Sequence, residues 1–199
     1  FILNGFWPFA SGNAASDWLL LGAEVFDTEG NKLDEGDLVV PAASLERIDD
    51  WNVMGLSGSG SNSVKAVDVK VPGHMYVSLP ALLENQTATY ADPNAPAIYK
   101  CQAGPALGMF IASSALGQAK RAMEEFLKVV PGKRVMYTSH VSHEWTALQV
   151  ALGEAAGMIH AAELVFYKCA EDVDAYARRG EKMPMAIRGR IRNDITVVP

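Results

Sequence analysis

The first unusual stretch of the 199-residue chain is Gly5-Phe6-Trp7-Pro8-Phe9-Ala10-Ser11-Gly12, near its start. Large aromatic side chains lead into a small hydroxyl residue and then into a glycine that frees the backbone. This order makes a flat apolar wall with one hydrogen-bonding group at its end, which suits a planar heteroaromatic ligand. A core β-strand followed by a turn has the same composition, so both interpretations stay open for this stretch alone.

The composition argues against several classes of protein. Hydrophobic residues make up 49% of the chain and charged residues 20%, a balance typical of globular domains. A net charge of -6 disfavours a nucleic-acid-binding surface, which needs clustered basic residues. The sequence shows no apolar run of membrane-spanning length and no signal peptide. The two cysteines, Cys101 and Cys169, lack metal-binding spacing. We therefore expect a cytoplasmic protein that binds neither nucleic acid nor membranes.

The first half of the chain predicts short β-strands. Apolar runs separated by turn residues occupy residues 1–9, 18–26, 38–41, 51–56 and 64–71. Asp27-Thr28-Glu29-Gly30-Asn31 is typical of a hairpin turn. Strands this short, with no helical pattern among them, predict an antiparallel barrel or sandwich. Residues 74–100 are mixed and proline-rich, and we interpret them as an extended connection.

The second half predicts long helices. A helical period begins after Gly104-Pro105 and ends at Pro131-Gly132. A second helix is predicted from about Ser142 to Arg179, with Gly180 as its C-cap. A third is predicted to begin near Pro184 and to be cut off by the end of the chain.

The two halves together predict an α+β, multidomain architecture. Residues 1–100 form a β-domain with its extended connection, and residues 101–199 form part of an antiparallel helical bundle. Long, nearly uncharged helices expose more apolar area than one small β-layer can cover. We therefore expect a homo-oligomer assembled through the helical half.

Ser57-Gly58-Ser59-Gly60-Ser61-Asn62-Ser63 is the second unusual stretch. Its backbone can approach a ligand closely, while its hydroxyl and N–H groups converge on acceptors. It matches neither a Walker loop nor GxGxxG, and a flexible linker has the same composition. Its short length and its position between two predicted strands favour a packed turn.

The remaining polar residues provide no catalytic group of their own. His140, His143 and Glu144 lack the spacing of zinc-binding helices, so we expect no metal. Arg134 precedes the long helix, where a solvated turn residue and a ligand for an anionic group are both open interpretations. Neither cysteine has the surroundings of a nucleophile, so a cofactor should carry any chemistry.

Taken in order, these motifs resemble the acyl-CoA dehydrogenase superfamily, and within it the reduced-flavin monooxygenases of the 4-hydroxyphenylacetate hydroxylase type. The matching stretches are Leu3-Asn4-Gly5, Phe9-Ala10-Ser11-Gly12, Asp17-Trp18, Trp51-Asn52-Val53, Gly58 to Val64 and Arg134-x-x-Tyr137. The resemblance implies that the chain is a fragment covering the middle β-domain and the first part of the C-terminal helical domain. The upstream helical domain, and the downstream part in which the monooxygenases carry a catalytic histidine, would lie outside it.

The resemblance also implies an activity. The expected protein is the oxygenase component of a two-component flavoprotein monooxygenase, an oxidoreductase that hydroxylates an aromatic or phenolic small molecule through a flavin C4a-hydroperoxide. It would take reduced flavin (FMNH2 or FADH2) from a separate flavin reductase, use molecular oxygen, and assemble as a homotetramer. An acyl-CoA dehydrogenase or related FAD oxidase, and a non-catalytic oligomerisation fragment, stay open as alternatives.

The resemblance assigns roles to seven residues of this chain. Ser11 is the expected catalytic residue and would hydrogen-bond the flavin near N5, with Phe9 and Ala10 lining the isoalloxazine. Trp51, Ser59 and Ser61 would lie by the flavin and the substrate pocket. Arg134 would reach the flavin phosphates of a neighbouring subunit.

Overall fold

The computed structural model describes residues 1–197, and it divides the chain into two compact units. The first unit is Phe1–Leu82, and the second begins at Leu83. The boundary predicted between residues 100 and 101 lies inside the second unit. Residues 198 and 199 of the predicted helical domain lie outside the described residues.

The first unit contains two antiparallel sheets of three strands each. The strands are β1 (Ile2–Trp7), β2 (Trp18–Phe26), β3 (Lys32–Pro41), β4 (Glu46–Ile48), β5 (Ser63–Lys70) and β6 (Tyr76–Ser78). One sheet has the order β1-β5-β4 and the other β2-β3-β6. Within residues 1–197 no ladder joins the two sheets. The antiparallel sheets are therefore confirmed, but a closed barrel is not.

A single hydrophobic core lies between the two sheets. Because side chains alternate along a strand, Leu19 and Leu21 of β2 share a face, and their partners Val40 and Leu38 on β3 extend it. All four are buried, and β1 and β5 of the other sheet add Leu3, Val64 and Ala66 to the same cluster. The hairpin turn predicted at 27–31 joins β2 to β3.

Two predictions for residues 51–100 are wrong. Residues 51–56 form no strand. The backbone N–H of Trp51 donates to Asn62 Oδ1 instead of to a neighbouring strand, and Leu56 has a left-handed backbone with a φ of 58°. The stretch 74–100 is not simply extended, since it contains β6 and the short helices α1 (Leu79–Leu83) and α2 (Ala88–Ala91).

The second unit is built on three longer helices, α3 (Ala103–Val129), α4 (Thr146–Arg179) and α5 (Met185–Asp194). Met109 packs beside the buried cluster of Cys169 and Val173, while Lys120 pairs with Glu163. As the residue number rises along α3, the contacting residues on α4 have lower numbers, so the two helices run antiparallel.

The ends of these helices correct two details of the prediction. Gly180 is confirmed as the C-cap of α4, with a left-handed φ of 63°. Helix α4 begins four residues later than Ser142, because Ser142–Glu144 form a separate 3-10 turn and Trp145 is extended. Helix α5 ends at Asp194, ahead of the end of the chain.

The length of α4 corrects the expectation that the chain has no apolar run of membrane-spanning length. Within residues 1–197, this one helix is long and apolar enough to cross a membrane, judged by length and composition alone. Its apolar side chains are largely exposed, as are several on α3. A helix that packs against other helices in water passes the same test of length and composition.

Candidate functional site

The stretch Phe9–Gly12 forms a tight turn at the end of β1. The strand stops at Trp7, and Phe9 follows Pro8 with a left-handed φ of 58°, a conformation that non-glycine residues rarely adopt. Ser11 N donates to Phe9 O at 2.8 Å, which closes the turn. The Phe9 side chain is 71% exposed. The structure therefore excludes the core-strand interpretation for Phe9 and leaves its ring available to a ligand.

The serine-rich stretch packs against this turn. Ser57–Ser59 form a 3-10 turn between two left-handed residues, Leu56 and Gly60. Gly12 N donates to Ser59 O at 3.1 Å, so the two loops are joined through their backbones. The flexible-linker interpretation is wrong, because these residues make specific hydrogen bonds.

Three hydroxyl groups form a continuous chain across the junction of the two loops. The Oγ atoms of Ser11 and Ser61 are 2.7 Å apart, and those of Ser61 and Ser59 are 2.8 Å apart. Ser59 Oγ also donates to Leu56 O at 2.8 Å. Ser61 is only 4% exposed, whereas Ser11 and Ser59 lie at the surface. The chain therefore connects a surface hydroxyl to a backbone carbonyl through a buried one.

The Asn13 side chain links the two loops by hydrogen bonds, and the sequence analysis did not predict this role. Its side chain is 6% exposed, and Nδ2 donates to Ala10 O at 2.7 Å and to Asn62 O at 2.8 Å. A longer contact of 3.3 Å reaches Gly60 O. The available signal was an asparagine immediately after a glycine, which is typical of turns in which the side-chain amide bonds to nearby backbone.

Trp51 is held beside Phe9 by a second polar network. Asn62 Oδ1 accepts from Trp51 N at 2.9 Å, and the Trp51 ring meets the Phe9 ring edge to face, with centroids 5.8 Å apart. Asp50 accepts from Ser63 Oγ at 2.6 Å and from Ser63 N at 2.8 Å. These hydrogen bonds, that from the Ser63 side chain first, lower the pKa of Asp50.

The structure thus brings six of the seven predicted site residues into one region: Phe9, Ala10, Ser11, Trp51, Ser59 and Ser61. The rings of Phe9 and Trp51 form an apolar surface next to the Ser11 hydroxyl, which is already hydrogen-bonded to Ser61. This set of groups fits a planar heteroaromatic ring, with the ring face on the wall and a polar ring edge at Ser11.

The seventh predicted residue, Arg134, belongs to the second unit. It is exposed in a hairpin closed by a bridge to Val141 and by a bond of 3.0 Å from Val135 N to His140 O. Within the part of the chain that the structure describes, no carboxylate pairs with it. At the tip of the hairpin, Tyr137 is almost fully exposed, with a left-handed φ of 62°.

A cavity of about 670 Å³ lies within the helical unit. Its apolar wall includes Pro105 and Ile111 of α3, and two polar side chains of the lining have atoms without partners. Gln102 is 3% exposed and donates through Nε2 to Leu83 O, while its Oε1 is unpaired. Arg188 pairs with Glu84 at 3.2 Å but leaves Nε unpaired. Both unpaired atoms are themselves buried, so the part of the lining that a ligand could touch is mainly apolar.

Neither cysteine has the environment of a nucleophile. Burial raises the pKa of both the Cys101 and the Cys169 thiol, which keeps them protonated near neutral pH. Within residues 1–197, no cluster of three or more His, Cys, Asp or Glu side chains is placed to hold a metal ion.

Part of the second unit matches a known protein family. Residues 109–198 match the family model described as acyl-CoA dehydrogenase, C-terminal domain. The structure of XiaF from a Streptomyces species, in complex with FADH2 and glycerol, superimposes with a TM-score of 0.90 at 26% identity, over 99% of this chain and 50% of that one. Residues 109–198 therefore match the C-terminal domain of the acyl-CoA dehydrogenase family.

Two curated relatives of the chain are an oxygenase subunit and an oxygenase component. It is 30% identical to the flavin-dependent monooxygenase oxygenase subunit HsaA of Rhodococcus jostii, over 98% of this chain and 50% of the relative. It is 25% identical to the p-hydroxyphenylacetate 3-hydroxylase oxygenase component of Acinetobacter baumannii, over 86% of this chain and 40% of the relative. The chain therefore spans about half the length, or less, of the curated relatives it matches.

Proposed function

We propose that the chain is the middle β-domain and the first part of the C-terminal helical domain of a reduced-flavin-dependent monooxygenase. The reaction inserts one atom of molecular oxygen into a C–H bond of an aromatic or phenolic molecule. The other oxygen atom leaves as water, and FMNH2 or FADH2 from a separate reductase supplies the two electrons and two protons. This need for reduced flavin is met in the cytoplasm, where we place the protein.

The single observation that carries this proposal is the junction of the two loops in the β-unit. Phe9, Ala10 and Trp51 supply an apolar surface for the isoalloxazine, and Ser11 supplies a hydroxyl at its edge. Ser59 and Ser61 fix the position of that hydroxyl through hydrogen bonds of 2.7 and 2.8 Å. The two left-handed residues, Phe9 and Leu56, support the same interpretation, because strained non-glycine backbone is concentrated at functional sites.

The proposal also includes a homotetramer formed through the helices. Apolar side chains on α3 and α4 are exposed in one chain, among them Phe110, Ile111, Val150, Met158 and Leu164. Their burial against further copies would remove a large apolar patch from water. In that assembly the unpaired guanidinium of Arg134 would bind the flavin phosphates of a neighbouring subunit.

We place the aromatic substrate beside the flavin, next to Trp51, Ser59 and Ser61, because the oxygen atom has to pass from the flavin to a ring carbon in contact with it.

The test supplies photoreduced flavin, oxygen and a panel of phenols to the protein that carries this chain, and detects products by mass spectrometry. We expect a product that is heavier by one oxygen atom and that carries the label when the gas is 18O2. Unlabelled product, or flavin that is retained tightly through purification and reduced by an acyl-CoA, would instead indicate a dehydrogenase or an oxidase.

A further inference from the structure

Leu56 combines an unfavourable backbone conformation with an exposed apolar side chain. Its φ of 58° lies in the left-handed region, where a residue with a Cβ atom is strained. Its side chain is 77% exposed, so packing against the rest of the unit offsets little of that strain. The packing of the β-unit therefore gives no reason for a leucine at this position.

The preceding residue is a glycine that the backbone does not require. Gly55 has a φ outside the left-handed region, and a Cβ atom added to it would meet no other atom within 4 Å. Glycine adopts a left-handed φ without steric strain, so a turn selected for stability alone would have its glycine at position 56. The observed order, Gly55-Leu56, is the reverse. It favours a role for the Leu56 side chain in ligand binding, since strained residues other than glycine are concentrated at functional sites.

The backbone of Leu56 is bonded to two residues that we place beside the substrate. Its carbonyl oxygen accepts from Trp51 Nε1 at 3.2 Å, from Ser59 Oγ at 2.8 Å and from Ser59 N at 3.0 Å. The same Trp51 ring meets the Phe9 ring edge to face, with centroids 5.8 Å apart. Two exposed apolar residues, Phe9 and Leu56, are thus in direct contact with Trp51, and three hydrogen bonds fix the position of one of them.

We propose that Leu56 is a specificity-determining residue, whose side chain forms part of the apolar surface of the substrate site and limits the size of the ring system that fits beside Trp51. The inference rests on the proposed function. A flat substrate in this position would cover a side chain that is otherwise exposed to water, so substrate binding supplies the apolar contact that folding does not. A second fused ring would compete with the leucine side chain for the same space.

The experiment compares the wild type with Leu56→Gly and Leu56→Ala, in the protein that carries this chain. Photoreduced flavin and oxygen are supplied with one-ring phenols and with two-ring naphthols that carry the same substituents, and kcat/KM is measured for each. Both variants remove the side chain. The ratio of kcat/KM for the naphthol to that for the matched phenol should therefore rise by about tenfold, the lower end of the effect of one methylene group in an apolar pocket.

The melting temperatures of the two variants separate a substrate contact from a structural role. Leu56→Gly removes the left-handed strain and keeps the three hydrogen bonds to the backbone carbonyl, so its melting temperature should not fall below that of the wild type. Leu56→Ala keeps the strain and should melt below Leu56→Gly. A melting temperature of Leu56→Gly well below that of the wild type would make Leu56 a structural residue and would contradict the inference.

The control variant is Asp68→Gly. Asp68 is also exposed and has a left-handed φ of 52°, but it lies within β5, where its backbone N–H donates to Asn4 Oδ1 of β1 at 2.8 Å. The substitution removes the same kind of strain outside the site. It should leave the ratio of naphthol to phenol turnover unchanged.

The outcomes separate this inference from the proposed function. If the wild type hydroxylates phenols but neither Leu56 variant changes the ratio, the specificity role is overturned and the proposed function stands. A change in Leu56→Gly alone would assign the effect to backbone freedom and would also overturn the role of the side chain. Failure of the wild type to hydroxylate any phenol or naphthol would contradict the proposed function itself, and the inference with it.

Discussion

The Ser11 and Ser61 hydroxyl oxygens lie 2.7 Å apart although 50 positions separate the two residues in the chain. The contact joins the turn after β1 to the turn before β5. Because β1 and β5 are paired strands of one sheet, with Trp7 opposite Val64, both turns leave the sheet at the same end. The pairing of β1 with β5 therefore brings the two turns of the candidate flavin site together. A substitution in either turn should alter the conformation of the other.

Replacing Asn13 with alanine should open this junction. The substitution removes the Nδ2 donor to Ala10 O and Asn62 O, and Ala10 O keeps only the bond of 3.2 Å from the backbone N–H of residue 13. We expect the free energy of unfolding to fall by about 1–3 kcal/mol and flavin affinity to fall with it. Urea unfolding of Asn13→Ala beside Asn31→Ala, a change in an exposed hairpin turn, measures the first effect. A loss of equal size in both variants would contradict the role of Asn13.

Gly60 should tolerate a side chain less well than Gly58. Gly60 has a left-handed φ of 53°, whereas Gly58 has ordinary backbone and open space around its Cα. Gly60→Ala should cost about 1–2 kcal/mol of unfolding free energy, and Gly58→Ala close to none. Thermal unfolding of the two variants makes this comparison. Similar melting temperatures would show that the turn adopts another conformation in solution.

The Asp50 carboxylate should make the site sensitive to acid. Its pKa is lowered in the folded chain by the hydrogen bonds from Ser63, so its contribution is fully present above the ordinary value of 3.8. That contribution is lost as the pH falls through the lower, folded pKa. We therefore expect Asp50→Asn to be less stable than wild type at neutral pH, with the difference closing in strong acid. A difference that stays constant across the pH range would contradict this explanation.

The Phe9 ring should contribute to binding more than to stability. Since the ring is 71% exposed, Phe9→Ala should leave the free energy of unfolding nearly unchanged. It should weaken flavin binding by about threefold to tenfold, the usual value of one aromatic stacking contact. Phe26→Ala, at an exposed aromatic at the end of β2, is the matched control. Equal flavin affinity in the two variants would remove Phe9 from the site.

Sequence patterns predicted the parts of the fold that depend on local periodicity. The helical spacing after Gly104-Pro105 and the glycine at position 180 identified α3 and the end of α4. The failure at residues 51–56 has a different cause, because this segment is held by the Asn62 side chain and by a left-handed Leu56. Neither feature leaves a signal in the apolar pattern of the segment itself.

The candidate site was predictable in its residues but not in its connections. The aromatic and serine-rich motifs drew attention to Phe9, Ser11 and the turn at 57–63. The contribution of Asn13 depends on three carbonyls that the fold brings around one amide. The cavity beside Gln102 and Arg188 likewise joins side chains that are distant in the chain, so no sequence motif marks it.

A crystal structure of the chain grown anaerobically with reduced flavin tests the central claim most directly. The account predicts the isoalloxazine against Phe9 and Trp51, with N5 within hydrogen-bonding distance of Ser11 Oγ. Flavin bound elsewhere, or a ring whose N5 faces away from Ser11, would contradict it.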